Sequence, residues 1–227
     1  MVNSIINFFK YPIAILSLLL FLDLGTIFFK ITYTIIEDFS KYQNFFIGMG
    51  TYFITWFILF KNRIGRLLVV LEHEITHSIF ALLSFNKIVS IAAHNQLGGF
   101  MTFRGTVGRT QGNWLIDVSP YFFSTFGVIV IGIIHISSPR YYPILIGILG
   151  YTVVHHIYSV VVTFHPKQSD IVGVGLPFSI LFLPSANLMM IIIMITQIPN
   201  DSIHLQPVID YLYYSLIFYG DFILNMF

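Results

Sequence analysis

The chain contains no cysteine, which excludes a disulfide framework, a thiolate metal site and a cysteine nucleophile. Charge is also scarce. Asp, Glu, Lys and Arg make up 9% of the 227 residues, against about 25% in an ordinary soluble domain. So few charges cannot cover a water-facing surface. A net charge of +1 with no basic cluster excludes the electrostatic footprint of nucleic-acid binding. Glutamate occurs only at Glu37, Glu72 and Glu74, so no glutamate follows position 74 to serve as a later ligand or base. What replaces charge is apolar bulk. The chain is 56% hydrophobic and 17% aromatic, with a mean hydropathy of +0.84. This composition implies an integral membrane protein.

Six apolar runs are long enough to read as membrane spans, at roughly 12–35, 44–60, 67–85, 114–135, 141–164 and 171–197, with an amphipathic or spanning segment at 208–227. The expected fold is an all-α polytopic membrane protein of about six transmembrane helices. The opening stretch, MVNSIINFFKYP, runs on past Gly25 without a small-residue cleavage site, so it reads as a retained span. Between the third and fourth runs, residues 86–113 are too polar to span. There "KIVSIAA" and "GFMTFRG" flank the turn signal "HNQLGG", which predicts a β-hairpin or a re-entrant loop. Lys61, Arg63 and Arg66 place the short loop before the third run in the cytoplasm, whereas Lys87, Arg104 and Arg109 pull the other way. No repeat or linker divides the chain, so residues 1–227 read as one domain with a core at roughly 67–190.

The third run holds "LEHEITHSIF", residues 71–80, in which His73-Glu74-Ile75-Thr76-His77 fits the pattern H-E-x-x-H. On a helix, residues i and i+4 share a face, so both imidazoles reach one Zn²⁺ at about 2.0–2.1 Å. Such an ion acidifies its water and polarises a scissile carbonyl. Glu74 beside it is placed to act as general base and to pass the proton to the leaving amine. Burying this many ionisable groups in a bilayer is costly without a purpose.

A catalytic zinc site takes three protein ligands and leaves one open position. The third candidates are Asp117, Asp170, Asp201, Asp210, Asp221 and the remaining histidines. Asp170 is favoured. It follows Pro166 in "TFHPKQSDIVGVG", where the helix is interrupted and irregular backbone can line a cavity. Asp117 is the rival ligand, or a cap at the start of the fourth run. His155 and His156 are adjacent and face different sides of a helix. His165 lines the break, His94 and His204 read as loop residues, and His135 as interfacial. Glu72 lies outside the motif and has no assigned role.

This pattern resembles the site-2 protease family of intramembrane zinc metallopeptidases, and looks closer to a divergent bacterial branch of it than to its best-studied members. The resemblance rests on His73, Glu74 and His77 within a span, and on a later Pro-containing break ending in Asp170. That family has Gly after this aspartate, where the chain has Ile171, and "DVSPYFFSTFG" stands loosely where the family has a Gly/Pro-containing segment. The resemblance implies an endopeptidase that cleaves membrane-spanning or membrane-proximal segments, with a membrane protein as substrate, the lipid bilayer as surroundings and the cell membrane as location. A strand edge of the 87–105 hairpin would take up an unwound substrate. Two other functions compete: a non-catalytic metal-binding or scaffold protein, and a di-iron oxidase or desaturase suggested by "VVHH" at 153–156.

Overall fold

The structure is a computed structural model that describes residues 2–60, 63–94, 98–103, 112–199 and 204–224. The expected features at Lys61, the 95–97 turn, Arg104, Arg109 and Asp201 lie outside the described residues. The chain opens with α1 (Val2–Phe8) and α2 (Lys10–Glu37). Next come α3 (Gln43–Thr55), which winds into a π-helical turn at Trp56–Phe60, and α4 (Arg63–Leu83). Strands β1 (Ile88–His94) and β2 (Gly98–Phe103) pair antiparallel, with Ile91 opposite Met101 and an irregularity between Ile88 and Ser90. Both strands pack on α4. Then follow α5 (Trp114–Val118), a 3-10 turn at Ser119–Tyr121 and α6 (Thr125–Ile136). The rest is α7 (Tyr142–Thr163), α8 (Ser169–Val174), α9 (Leu176–Thr196) and α10 (Leu205–Leu224).

Among the described residues, three helical segments are long and apolar enough to cross a membrane: Lys10–Glu37, Pro139–Thr163 and Leu176–Thr196. Trp114–Tyr121 and Thr125–Ile136 make a fourth if the two count as one span broken by a 77° bend. This is fewer than the six runs of the sequence, for physical reasons. α3 is only 13 residues long, about 20 Å at 1.5 Å per residue. α4 carries four charged residues, Arg63, Arg66, Glu72 and Glu74. The run expected at 114–135 is not one helix, because Pro120 opens a 3-10 turn and Ser124 caps a new helix by accepting the Gly127 N–H at 3.1 Å. The run expected from 171 is divided at Gly175, whose φ of +97° is open to glycine at little cost.

Packing follows small residues and isolated polar contacts. α3 and α7 touch backbone to backbone. A methyl group at Gly48 would overlap the Gly147 carbonyl, and one at Gly150 the Phe45 carbonyl, the close approach that small residues permit between membrane helices. α2 lies along α9, where the Ser185 hydroxyl donates to the Ser17 carbonyl at 2.6 Å. α10 is held to α2 by Tyr211 and Tyr219, whose hydroxyls donate to Asp23 at 3.3 and 2.9 Å. Buried side chains of α2, α3, α6, α7, α9 and α10 form one cluster around Leu24, Phe45, Leu149 and Ile192. Outward-facing positions of α2 such as Leu22, Phe29 and Ile36 stay exposed, a surface that suits lipid rather than water.

Candidate metal centre

The polar stretch of α4 consists of three adjacent i, i+4 pairs: Glu72 with Thr76, His73 with His77, and Glu74 with Ser78. At 100° per residue these stripes cover about 240° of the helix circumference. All six residues are buried, and the two Glu and two His are 4–8% exposed. The sector left over carries Leu68, Leu71 and Leu82, all exposed. The Thr76 and Ser78 hydroxyls donate to the carbonyls of Glu72 and Glu74 at 2.8 and 2.7 Å. The helix therefore satisfies its own hydroxyls and leaves the ionisable groups for its neighbours.

The middle stripe meets Asp170. His73 Nε2 and His77 Nε2 are 3.1 Å apart, and each is 3.4 Å from Asp170 Oδ2. Donors placed tetrahedrally at 2.0–2.1 Å from a zinc ion stand about 3.3 Å from one another. The three atoms thus fit three corners of a zinc tetrahedron, and two imidazoles with one carboxylate are a donor set of the catalytic type.

Two of the three donors, His77 and Asp170, are held from behind. His77 Nδ1 donates to the Ile116 carbonyl at 2.7 Å, which fixes the tautomer that leaves Nε2 free to coordinate. Ile116 is placed by Asn113, the N-cap of α5, whose side-chain oxygen accepts the Leu115 and Ile116 N–H groups. Asn113 in turn donates to Asn3 Oδ1 at 2.8 Å and to Ser84 Oγ at 3.0 Å. Asp170 is presented by the break after α7. Pro166 follows the end of that helix, and α8 starts at Ser169, whose hydroxyl donates to Asp170 Oδ1 at 3.1 Å. The Tyr121 hydroxyl donates to Asp170 Oδ2, also at 3.1 Å. Lys10 Nζ donates to the Val174 carbonyl and so caps the far end of α8.

The other sequence candidates fall elsewhere. Asp117 is half-buried in the first turn of α5 and is not one of the three grouped donors. It does not cap that helix, because Asn113 does. Asp210 accepts from Gln206 on an exposed face of α10 at 2.8 Å, and Asp221 is exposed. His165 is exposed and accepts the Lys167 N–H at 3.1 Å. His135 is exposed in the last turn of α6, His94 ends β1, and His204 precedes α10. His155 and His156 do face different sides, as their adjacency requires.

Glu72 gains a role. Its Oε2 lies 2.9 Å from His155 Nε2, and its Oε1 accepts the Phe126 N–H at the start of α6 at 3.1 Å. Two functional neighbours were not read from the sequence, Tyr121 and Asn187. Tyr121 is fully buried and sets its ring edge-on to His73 at 5.2 Å. Asn187 is the only amide in the run "LFLPSANLMMIIIM", and a polar side chain in such a run is the signal that would have marked it. No protein-family model matches the chain, and no curated protein or solved structure does either.

Proposed function

We propose that the protein is a membrane-embedded zinc endopeptidase of the site-2 protease type, which cuts membrane-spanning or membrane-proximal segments of other proteins. The observation that carries this reading is the mutual spacing of His73 Nε2, His77 Nε2 and Asp170 Oδ2, 3.1–3.4 Å, with Glu74 buried next to the first of them. His73, His77 and Asp170 hold the zinc. When bound, the ion supplies Lewis-acid polarisation of the scissile carbonyl and a water acidified toward neutrality. Glu74, buried beside His73, would be the group that holds the proton as general base and passes it to the leaving nitrogen. The apolar bundle around α4 keeps bulk water from the reacting groups.

A helical substrate has to unwind before its peptide bond is accessible. The two-stranded sheet packed on α4 has an outer edge on each strand, and an extended segment adds there through main-chain hydrogen bonds. In this reading α3 with its π-helical turn, and α4, lie within the bilayer beside the longer helices, which gives about six crossings of the cell membrane. The di-iron alternative has no support in the positions of the paired histidines, since His155 faces Glu72 and His156 faces Asn187 rather than the metal donors.

The test is metal analysis and cleavage of a single-span test substrate by the purified chain in liposomes. Wild type is expected to hold one zinc per chain and to cut. Glu74→Gln should keep the zinc and lose cleavage by a factor of about 10² or more. A purified chain without stoichiometric zinc refutes the reading. Zinc binding with biological activity unchanged in Glu74→Gln would instead establish a non-catalytic metal-binding protein.

A further inference from the structure

Behind the metal donors, α7 contributes two adjacent buried histidines, His155 at 3% and His156 at 2% exposure. They point to different helices, and each begins a chain of contacts that ends at the metal group. His155 Nε2 lies 2.9 Å from Glu72 Oε2, while Glu72 Oε1 accepts the Phe126 N–H. Glu72 thus has one carboxylate oxygen hydrogen-bonded from α6 and the other at ion-pair distance from an α7 imidazole. The Thr76 and Thr125 hydroxyls, 2.6 Å apart, add a second link between α4 and α6 one turn on. Glu72 directly precedes His73. Any rotation of α4 about its axis that moves Glu72 therefore swings His73, Glu74 and His77 by the same angle.

His156 works on the other side. Its Nε2 is 3.1 Å from Asn187 Oδ1. The Asn187 amide nitrogen donates to the Tyr121 and Leu183 carbonyls, each at 2.8 Å. With both amide hydrogens committed, Oδ1 is the acceptor and His156 the donor. Asn187 thereby fixes the backbone of Tyr121, which packs on His73 and donates its hydroxyl to Asp170 Oδ2.

We propose that His155 and His156 are a pair of positioning residues that set the metal group from two sides, His155 through Glu72 and His156 through Asn187 and Tyr121. One stretch of α7 thus governs both the rotation of the motif helix and the placement of the carboxylate ligand. Supporting partners of this kind tune metal affinity by about 10–100-fold. The inference rests on the zinc-binding reading, and its test is arranged so that the two fail separately.

The experiment uses the full chain purified in detergent, with zinc affinity read by competition against a chromophoric chelator and donor geometry by the visible absorption of the Co²⁺-loaded protein. Glu72→Ala and Asn187→Ala should each weaken zinc binding by about tenfold or more and shift the cobalt bands. Glu72→Gln keeps the side-chain length and an amide oxygen for the Phe126 N–H, while its NH2 faces His155 as a donor to the other imidazole tautomer, and should recover most of the affinity. Tyr121→Phe keeps the ring packing but loses the bond to Asp170. It should shift the cobalt spectrum with helix content unchanged, and it tests the last link of the His156 side, the hydroxyl bond to Asp170. Glu72→Gln at wild-type affinity beside a weakened Glu72→Ala supports the His155 side. Wild-type affinity and spectra in Glu72→Ala, Asn187→Ala and Tyr121→Phe overturn the inference and leave the zinc site standing. A wild-type chain that takes up neither metal overturns both.

Discussion

Asp170→Asn separates the third ligand from its surroundings better than any other single change. The substitution preserves shape. An amide oxygen still accepts from the Tyr121 hydroxyl, now 3.1 Å from Oδ2, and the Ser169 contact at 3.1 Å is retained by simple reorientation. What is lost is the anionic oxygen 3.4 Å from both imidazoles. A four-ligand structural zinc site contributes about 10–16 kcal/mol, or about 3–4 kcal/mol per ligand. Removing one donor should therefore weaken zinc binding by about 10²–10³-fold, at about 1.4 kcal/mol per decade. Chelator competition on the purified chain measures this directly. Asp117→Asn is the matched control. It lies outside the donor group but within electrostatic reach of His77 and Asp170, so it should weaken zinc binding by no more than about tenfold, about 1.4 kcal/mol. If Asp170→Asn binds zinc as wild type does while Asp117→Asn loses it, the ligand assignment is wrong and the geometric argument goes with it.

Three further outcomes follow from the scaffold. Gly48→Ala and Gly150→Ala force a methyl group against the backbone carbonyls of Gly147 and Phe45. Each should destabilise the helix pair by about 1–3 kcal/mol, read as a lower melting temperature in detergent. Phe85→Gly should stabilise by about 1 kcal/mol, because Phe85 follows the end of α4 at φ 60°, a conformation that suits glycine, and is 84% exposed. Asn113→Ala removes the cap of α5 and strands the Leu115 N–H group, while the Ile116 N–H keeps its bond to the Asn113 carbonyl. It should cost about 2 kcal/mol and also weaken zinc binding, since the Ile116 carbonyl that orients His77 loses its anchor.

The grouping of His73, His77 and Asp170 could be read from the sequence because local rules specify it. His73 and His77 share a helix face by spacing alone, and the absence of any glutamate after Glu74 left few carboxylates for the third position. Pro166 then marked the break that brings Asp170 inward. The supporting residues were less legible, because what gives them a role is contact between helices distant in sequence. Tyr121 meets Asp170 across 49 residues and Asn187 meets His156 across 31. Neither spacing leaves a periodic trace. The boundaries of the spans were blurred for a different reason. Hydropathy averages over a window, and it passes over a 3-10 turn at Pro120 or a positive φ at Gly175 whose neighbours are all apolar.

Glu72 shows why the charge on α4 is not a single anomaly. A helix that merely presented two zinc ligands to a cavity would need polar residues on one stripe, and the opposite face would be free for lipid. α4 instead carries polar pairs on three stripes over its middle turns, and the sector of Leu68, Leu71 and Leu82 is exposed. The stripes engage different groups. Glu72 and Thr76 meet α6 and α7, and His73 and His77 meet Asp170. In the proposed mechanism Glu74 serves the reacting water. A buried carboxylate left unpaired costs far more than a paired one. The stripe through Glu72 therefore resists any rotation of α4 that would separate it from His155, and that resistance holds the neighbouring stripe on target. Part of the rigidity needed to keep two imidazoles and a carboxylate 3.1–3.4 Å apart thus comes from a side chain that is bonded to none of the three groups.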